Sequence, residues 1–261
     1  MSDDPLRTFI GRSLRADVED VQSEVVARNA SLEVERIRFR QNGEERSLVL
    51  KRLPPNDSLE VQLLPFLARK TDRVPAVHAR GVPPPAAAGW PWILIEDLLD
   101  ARSACNGDPL AIIRAKAAVE RGVAGNEPAL GALGVRRVTP IELVERASER
   151  TAIDRPIDVD ARAAATYLSR LPVVLCQGEL TCASARLTDR GVVLVEWRRA
   201  YLGCGLLDVA RLAAEIAAFD DRDPGAKPFA LYAELAGIAL APELMDAARL
   251  VDRVVRRRRS K

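Results

Sequence analysis

The spacing of apolar positions changes near residue 108. Before that point, short alternating or continuous apolar runs are separated by turn residues. "SLEVERIRFR", residues 31–40, is rich in β-branched and long side chains. Its apolar period slips between Val34 and Ile37, which predicts a strand carrying a bulge. "QNGE", residues 41–44, holds an Asn-Gly pair, a strong hairpin signal, and "RSLVLKRL", residues 46–53, is the partner strand with Lys51 near its end. Residues 3–28 alternate acidic and apolar positions and predict a short helix and a first strand. "PPND" breaks the sheet, and Asp57 or Ser58 stands where it can cap a helix through "LEVQLLPFLARK". Pro65 should kink or shorten that helix, because it has no N–H for the carbonyl four residues back. A proline-rich link then leads to a buried strand over Trp92–Glu96.

Beyond residue 108 the period becomes helical. "PLAIIRAKAAVERG" predicts a helix closed at Gly122 in the manner of a C-cap. "TPIELVERASER" opens with Thr139, has Pro140 at the first helical position and Glu142 three residues after the threonine, which is a capping box. "DARAAATYLSRL" is a third helix, stopped by Pro172. Two short strands, "VVLC" and "ARLT", follow, then a "DRG" turn and a strand "VVLVEW". "LLDVARLAAEIAAF", "PFALYAELAGIAL" and "PELMDAARLVDRVV" predict three closing helices. There is no internal repeat. The expected fold class is α+β, with a small β-sheet lobe with one helix over residues 1–98. A larger, mainly helical lobe containing a β-hairpin covers residues 99–261.

Composition narrows the function classes. In 261 residues, 39 bases nearly balance 37 acids, so no global charge calls for nucleic acid or an anionic membrane. No apolar run approaches the ~20 residues of a membrane span, and "MSDDPLRTF" has no signal-peptide core, so a cytoplasmic protein is expected. Cys105, Cys176, Cys182 and Cys204 form no CxxC pair and are read as reduced, mostly buried thiols; a zinc site would need all of them or a distant histidine. His78 is the only histidine and falls in a proline-rich stretch, where a surface or connector role is the simpler reading. The terminal "RVVRRRRSK" is read as a helix end whose cations favour the negative pole of the dipole, with RNA or acidic lipid as the less favoured alternative.

Chemistry concentrates in residues 173–212. "LCQGELTCASARL", followed by "VEW" and then by "GCGLLDVA", resembles the aminoglycoside phosphotransferase and choline kinase family. There the loop reads HGDLHPGN, the next strand ends IDW, and GDPxxDLA follows. In this chain Gln177 stands for the histidine, Glu179 for the catalytic aspartate, Ser184 for the metal-binding asparagine and Glu196 for the metal-binding aspartate. Gly178, Leu180, Trp197 and Asp208 match. The resemblance extends more weakly to "LVLK", Glu60 and "ILIEDL", and it implies a two-lobed protein-kinase-like fold.

It also implies ATP and magnesium as cofactors and a small-molecule substrate. By resemblance, Lys51 pairs with nucleotide phosphates, Glu60 holds that lysine, and the backbone from Glu96 to Leu98 binds adenine. Glu179 accepts the substrate hydroxyl's proton, and Ser184 with Glu196 ligates magnesium. Glutamate for aspartate keeps the oxygen chemistry but moves the carboxylate by roughly 1 Å, a displacement that can cost about a hundredfold in rate. No glycine occurs from residue 12 to residue 42, where a phosphate-covering loop is expected; Asn29, Ala30 and Ser31 offer a turn but a weaker cradle. Two readings stay open: a phosphotransferase of reduced or unusual activity, and a pseudokinase-like binding or regulatory protein. Asp208 has a capping or loop-holding role and Trp197 a core role. Substrate contacts are expected around residues 217–228, where Asp220, Asp221 and Asp223 suit a cationic substrate, although a solvated loop is the commoner explanation.

Overall fold

The computed structural model describes residues 5–81, 89–149, 159–220 and 224–257. Its packing divides the chain into two compact units, residues 1–101 and 102–261.

In the first unit, α1 (Pro5–Leu14) leads into a five-stranded antiparallel sheet of β1 (Glu19–Asn29), β2 (Leu32–Gln41), β3 (Glu44–Arg52), β4 (Val77–Gly81) and β5 (Trp92–Glu96), in the order β1-β2-β3-β5-β4. The Asn-Gly hairpin forms as expected, with Gln41 paired to Glu44 and both turn residues at positive φ. The expected bulge lies on the partner strand: Val25 pairs with Glu35 and Ala27 with Val34, leaving Val26 as the extra residue in β1. The slipped period of β2 has its own cause, because Glu35 and Arg36 are both buried between Val34 and Ile37. One face of the sheet carries Ile37, Phe39, Leu48 and Leu50, which pack with Ile10 of α1, Val18 and Leu94 into a closed apolar core.

The opposite face holds Val34, Lys51 and Ile93 in register across three strands. Here α2 (Leu59–Ala68) contributes Glu60. Ser58 precedes α2, but its hydroxyl donates back to the Pro55 carbonyl and makes no capping bond to a helix amide. Pro65 lies inside α2, which ends at Ala68. The carbonyl that Pro65 cannot serve, that of Val61, accepts from the Arg80 guanidinium at 3.4 Å. β4 lies where a proline-rich link was expected, and it carries His78 at an exposed position of the strand.

The second unit contains α3 (Leu110–Val123), α4 (Glu127–Ala132), α5 (Pro140–Glu149), α6 (Val159–Leu168), β6 (Val173–Cys176), β7 (Ala185–Thr188), β8 (Gly191–Leu194), β9 (Tyr201–Cys204), α7 (Gly205–Asp220), α8 (Lys227–Ala236) and α9 (Pro242–Arg257). α9 packs on α5, α6 and α7, and α3 packs on α8. Gly122 does not end α3; the helix continues to Val123, and Gly125 takes the left-handed turn at φ 73°. The capping box is built as read: the Thr139 hydroxyl accepts from the Glu142 amide at 3.2 Å, while the Glu142 carboxylate accepts the Thr139 amide at 2.7 Å. β7 and β8 form the expected hairpin around Asp189 and Arg190. β9 pairs antiparallel with β6, and "YLGC" gave no strand signal because it is four residues long and interrupted by glycine.

Thr139→Ala removes the hydroxyl half of the capping box and should lower unfolding stability by about 1 kcal/mol. Urea unfolding followed by circular dichroism measures this; an unchanged midpoint would show that the box contributes nothing.

Candidate active site

In the second unit, residues 177–184 connect β6 to β7 and are held from several sides. Asp208, in the first turn of α7, accepts the backbone amides of Gln177 at 2.7 Å and Gly178 at 3.1 Å, one on each carboxylate oxygen. The Gln177 side chain then ties the loop to the segment after β8. Its amide nitrogen donates to the carbonyls of Val195 at 2.8 Å and Glu196 at 3.0 Å, and its oxygen accepts the Glu179 amide at 3.0 Å. These bonds explain why the strand stops at Leu194 instead of running to Trp197 as expected. The Val195 amide bonds the Ser184 carbonyl at 2.9 Å, both following carbonyls go to Gln177, and Glu196 turns to φ 68°. Trp197 is core, with its indole N–H donating to the Leu194 carbonyl.

Gly178 takes φ 87°, and a Cβ there would strike the carbonyl of Arg199. A side chain at this position is therefore opposed by both backbone conformation and space. Glu179 projects beyond this glycine and accepts from the Arg199 guanidinium at 2.7 Å, with both side chains partly open to solvent. Arg199 was not singled out in the sequence; its place two residues after Trp197 is the only signal that could have found it.

The loop carries Gln177, Glu179 and Ser184, and Gln177 ties it to Glu196 on the segment after β8. The Ser184 hydroxyl is buried and accepts the Thr181 amide at 2.9 Å, with the carbonyls of Thr181 at 3.0 Å and Glu179 at 3.3 Å as its acceptors. It closes the loop internally. Among the described residues no three His, Cys, Asp or Glu side chains converge as metal ligands. Ser184 is thus taken up by the loop's own backbone, and Glu196 stands on the segment after β8.

Below the loop lies a buried polar cluster that sequence reading missed. Lys116 of α3 pairs with Glu120 one turn on, lies 3.7 Å from Asp208 and sits 4.9 Å from the centre of the Tyr232 ring. Tyr232 of α8 donates to Glu120 at 3.0 Å. Burial raises the pKa of Asp208 and of Glu120, against the opposing pull of Lys116. Burial works against the Lys116 ammonium, but Glu120, Tyr232 and Asp208 outweigh it and its pKa rises well above the ordinary lysine range. The signal was the "RAKAAVERG" pattern, in which Lys116 occupies a core position of the helix, and periodicity alone reads such a residue as an interruption.

Cysteine chemistry departs from expectation. Cys105 and Cys182 form a disulfide across 77 residues, while Cys176 and Cys204 are buried free thiols. The loop brings Cys182 against the turn Ala104–Asn106, where Ser103 also donates to the Cys182 carbonyl at 3.0 Å. Sequence spacing gave no hint, since the pairing depends on the fold. Such bonds are rare in reducing compartments, so this pair does not support the cytoplasmic expectation. Among the described residues no helix is long and apolar enough to cross a membrane.

In the first unit, Lys51 of β3 and Glu60 of α2 form a buried ion pair at 3.2 Å, with residue exposures of only 6% and 1%. Pro65 lies five residues beyond Glu60 and leaves the pair intact. The tight turn between β1 and β2 has no glycine; the Asn29 side chain accepts the Ser31 amide at 2.8 Å. The Glu96 amide is committed to the Ala76 carbonyl at 2.9 Å, and Leu98 follows half-buried, its carbonyl accepting the Ala101 amide at 3.2 Å. This segment is braced by a residue not anticipated: Arg36 of β2 binds Asp97 at 2.7 Å and Asp100 at 2.9 Å. Residues 221–223 and the side chains of 219 and 220, where substrate contacts were expected, lie outside the described residues, as do residues 258–261 of the arginine-rich end.

Removing one partner of the enclosed ion pair leaves a buried ammonium, so Glu60→Ala should cost about 3–5 kcal/mol in unfolding stability. A loss below about 1 kcal/mol in urea unfolding would contradict the burial. Alkaline stability follows from the second unit. Burial raises the pKa values of Cys176, Tyr201 and Tyr232 and pushes Cys204 up to about 11; Lys116 is raised as well. The folded state therefore keeps protons that the unfolded chain releases. Stability from these groups is complete below their ordinary pKa values and is lost as pH rises through the folded ones. The melting temperature should fall steadily above about pH 8.5; a flat profile to pH 11 would contradict it.

No family model and no curated protein matches the sequence. Solved structures match its fold. An aminoglycoside phosphotransferase from Streptomyces rimosus in complex with ADP and streptomycin is 17% identical, with a TM-score of 0.58, covering 97% of this chain and 99% of its own. A macrolide 2'-phosphotransferase from Brachybacterium faecium is 17% identical, with a TM-score of 0.57, covering 95% of this chain and 88% of its own. An ethanolamine kinase from Plasmodium vivax is 12% identical, with a TM-score of 0.61, covering 94% of this chain and 77% of its own. At these identities the likeness is one of fold. The chain has the protein-kinase-like fold shared by the aminoglycoside and macrolide phosphotransferases and the choline and ethanolamine kinases.

Proposed function

We propose that this protein transfers the terminal phosphoryl group of ATP to a hydroxyl group of a small molecule. The observation that carries the reading is the buried Lys51–Glu60 pair. A core position in a sheet favours an apolar residue, and an enclosed ion pair is seldom better for stability than apolar side chains of similar volume. A role for the ammonium accounts for its retention: it neutralises nucleotide phosphates, and Glu60 holds it in place. The ADP complex of the Streptomyces rimosus neighbour supports a nucleotide as the donor.

Phosphoryl transfer requires placement and charge neutralisation more than covalent participation by the protein. Glu179 accepts the hydroxyl proton as the substrate oxygen bonds the terminal phosphorus. The bond from that phosphorus to the bridging oxygen breaks, and ADP leaves with its electron pair. Arg199, at 2.7 Å from Glu179, fixes the longer carboxylate arm in one direction. That constraint offsets part of the freedom introduced by the additional methylene. Gln177, bonded to the amide of Glu179, fixes the backbone from which the arm extends.

ADP release can be measured with ATP, with and without magnesium, over a panel of amino-alcohols, aminoglycosides, macrolides and sugars. Acceptor-dependent turnover is expected, and Glu179→Gln should lower it by about a hundredfold or more with the circular dichroism spectrum unchanged. Absence of turnover across the panel, or a Glu179→Gln variant as active as the parent, would overturn the proposal and favour a pseudokinase-like role.

A further inference from the structure

Asp208 reaches the loop only through its two oxygens, and both are taken by backbone amides, those of Gln177 and Gly178. The carboxylate is buried, as are Lys116, Glu120 and Tyr232 around it. Lys116 is the single cation among them. It comes from α3, while Asp208 is on α7 and Tyr232 on α8, so one ammonium links three helices beneath the loop. The cluster sits behind Gly178, the residue whose positive φ sends Glu179 outward.

We propose that Lys116 is a positioning residue: its buried ammonium is the counter-charge that lets Asp208 grip the Gln177 and Gly178 amides and so aims Glu179. The geometry separates this role from that of simple packing. Glu120 is the closer partner of Lys116, and Tyr232 donates to Glu120, so these two hold the ammonium from α3 and α8. Only Asp208 passes its influence to the loop backbone. A charge acting this way has a local consequence at two named amides, whereas a packing role affects the unit as a whole. The effect on turnover rests on the phosphotransfer reading; the effect on the loop backbone does not.

The test is amide hydrogen exchange on the full chain, comparing Lys116→Met, Asp208→Asn and the double variant with the parent. Lys116→Met should speed exchange at Gln177 and Gly178 by about tenfold or more, with strands of the first unit unchanged. Asp208→Asn should do the same with Lys116 still present. The double variant should exchange no faster than either single one, because both act through one interaction. If Lys116→Met fails to fold, the double variant, in which Asp208→Asn also removes the carboxylate left without its ammonium, decides: a fold recovered with the two loop amides still fast supports the proposal, and a fold recovered with those amides protected overturns it.

Lys116→Arg should restore protection relative to Lys116→Met. Where the parent turns over, turnover should fall in the variants whose loop amides are fast. Unchanged exchange at the two amides, a uniform increase across the second unit, or a double variant in which the two effects add would overturn the positioning role. A parent without turnover would overturn the phosphotransfer reading while leaving the exchange result to decide the positioning one.

Discussion

The bond between Asp208 and two consecutive backbone amides is the constraint on which the second unit's chemistry depends. A loop that must present a carboxylate outward needs its backbone fixed from beneath, since a loop backbone otherwise turns toward water. Asp208 supplies both acceptors from a helix's first turn. The requirement then spreads: burial of the carboxylate calls for a nearby cation, Lys116 answers it, and Glu120 with Tyr232 keeps that ammonium in partnership. Gly178 follows from the same constraint, because the chain must turn sharply past the Arg199 carbonyl once its amide is held. Gln177 secures the loop's other side to the segment after β8.

The first unit meets a comparable demand differently. Its sheet has one apolar face closed by α1 and another that carries Lys51, and the strand register fixes Lys51 beside Val34 and Ile93. An ammonium in that surrounding is stable only with a carboxylate within reach, and α2 places Glu60 there despite Pro65. The helix tolerates the proline because Arg80, from the neighbouring strand β4, takes up the carbonyl left without its helical donor. Arg36 does similar work at the end of β5, where it ties Asp97 and Asp100 to β2.

Much of this was legible in the sequence, for identifiable reasons. Local signals held where the physics is local: the Asn-Gly hairpin, the Thr139–Glu142 box and the "DRG" turn all form where their residues stand. The loop was found because Gly178, Leu180, Trp197 and Asp208 keep their spacing around the altered acids. What escaped depends on residues distant in sequence. Lys116 meets Asp208, Cys105 meets Cys182, and "YLGC" becomes a strand only because "VVLC" lies beside it. Gly122 misled because a helix can continue past a glycine when the next one, Gly125, provides the left-handed turn. Ser184 was placed in the right loop, but its hydroxyl turns inward to the loop's own backbone, a choice that no pattern of residue types encodes.

The central claim is that the enclosed ammonium of Lys51 exists to neutralise a nucleotide's phosphates. Calorimetric titration of the full chain with ATP, ADP and adenosine tests it most directly, with Lys51→Met as the comparison. The expected result is saturable binding of ATP and ADP, weaker binding of adenosine, and a loss of about tenfold or more in ATP affinity in Lys51→Met with adenosine affinity unchanged, as removal of one phosphate-paired cation implies. No heat of binding at millimolar nucleotide, or equal ATP affinity with and without the Lys51 ammonium, would contradict the account.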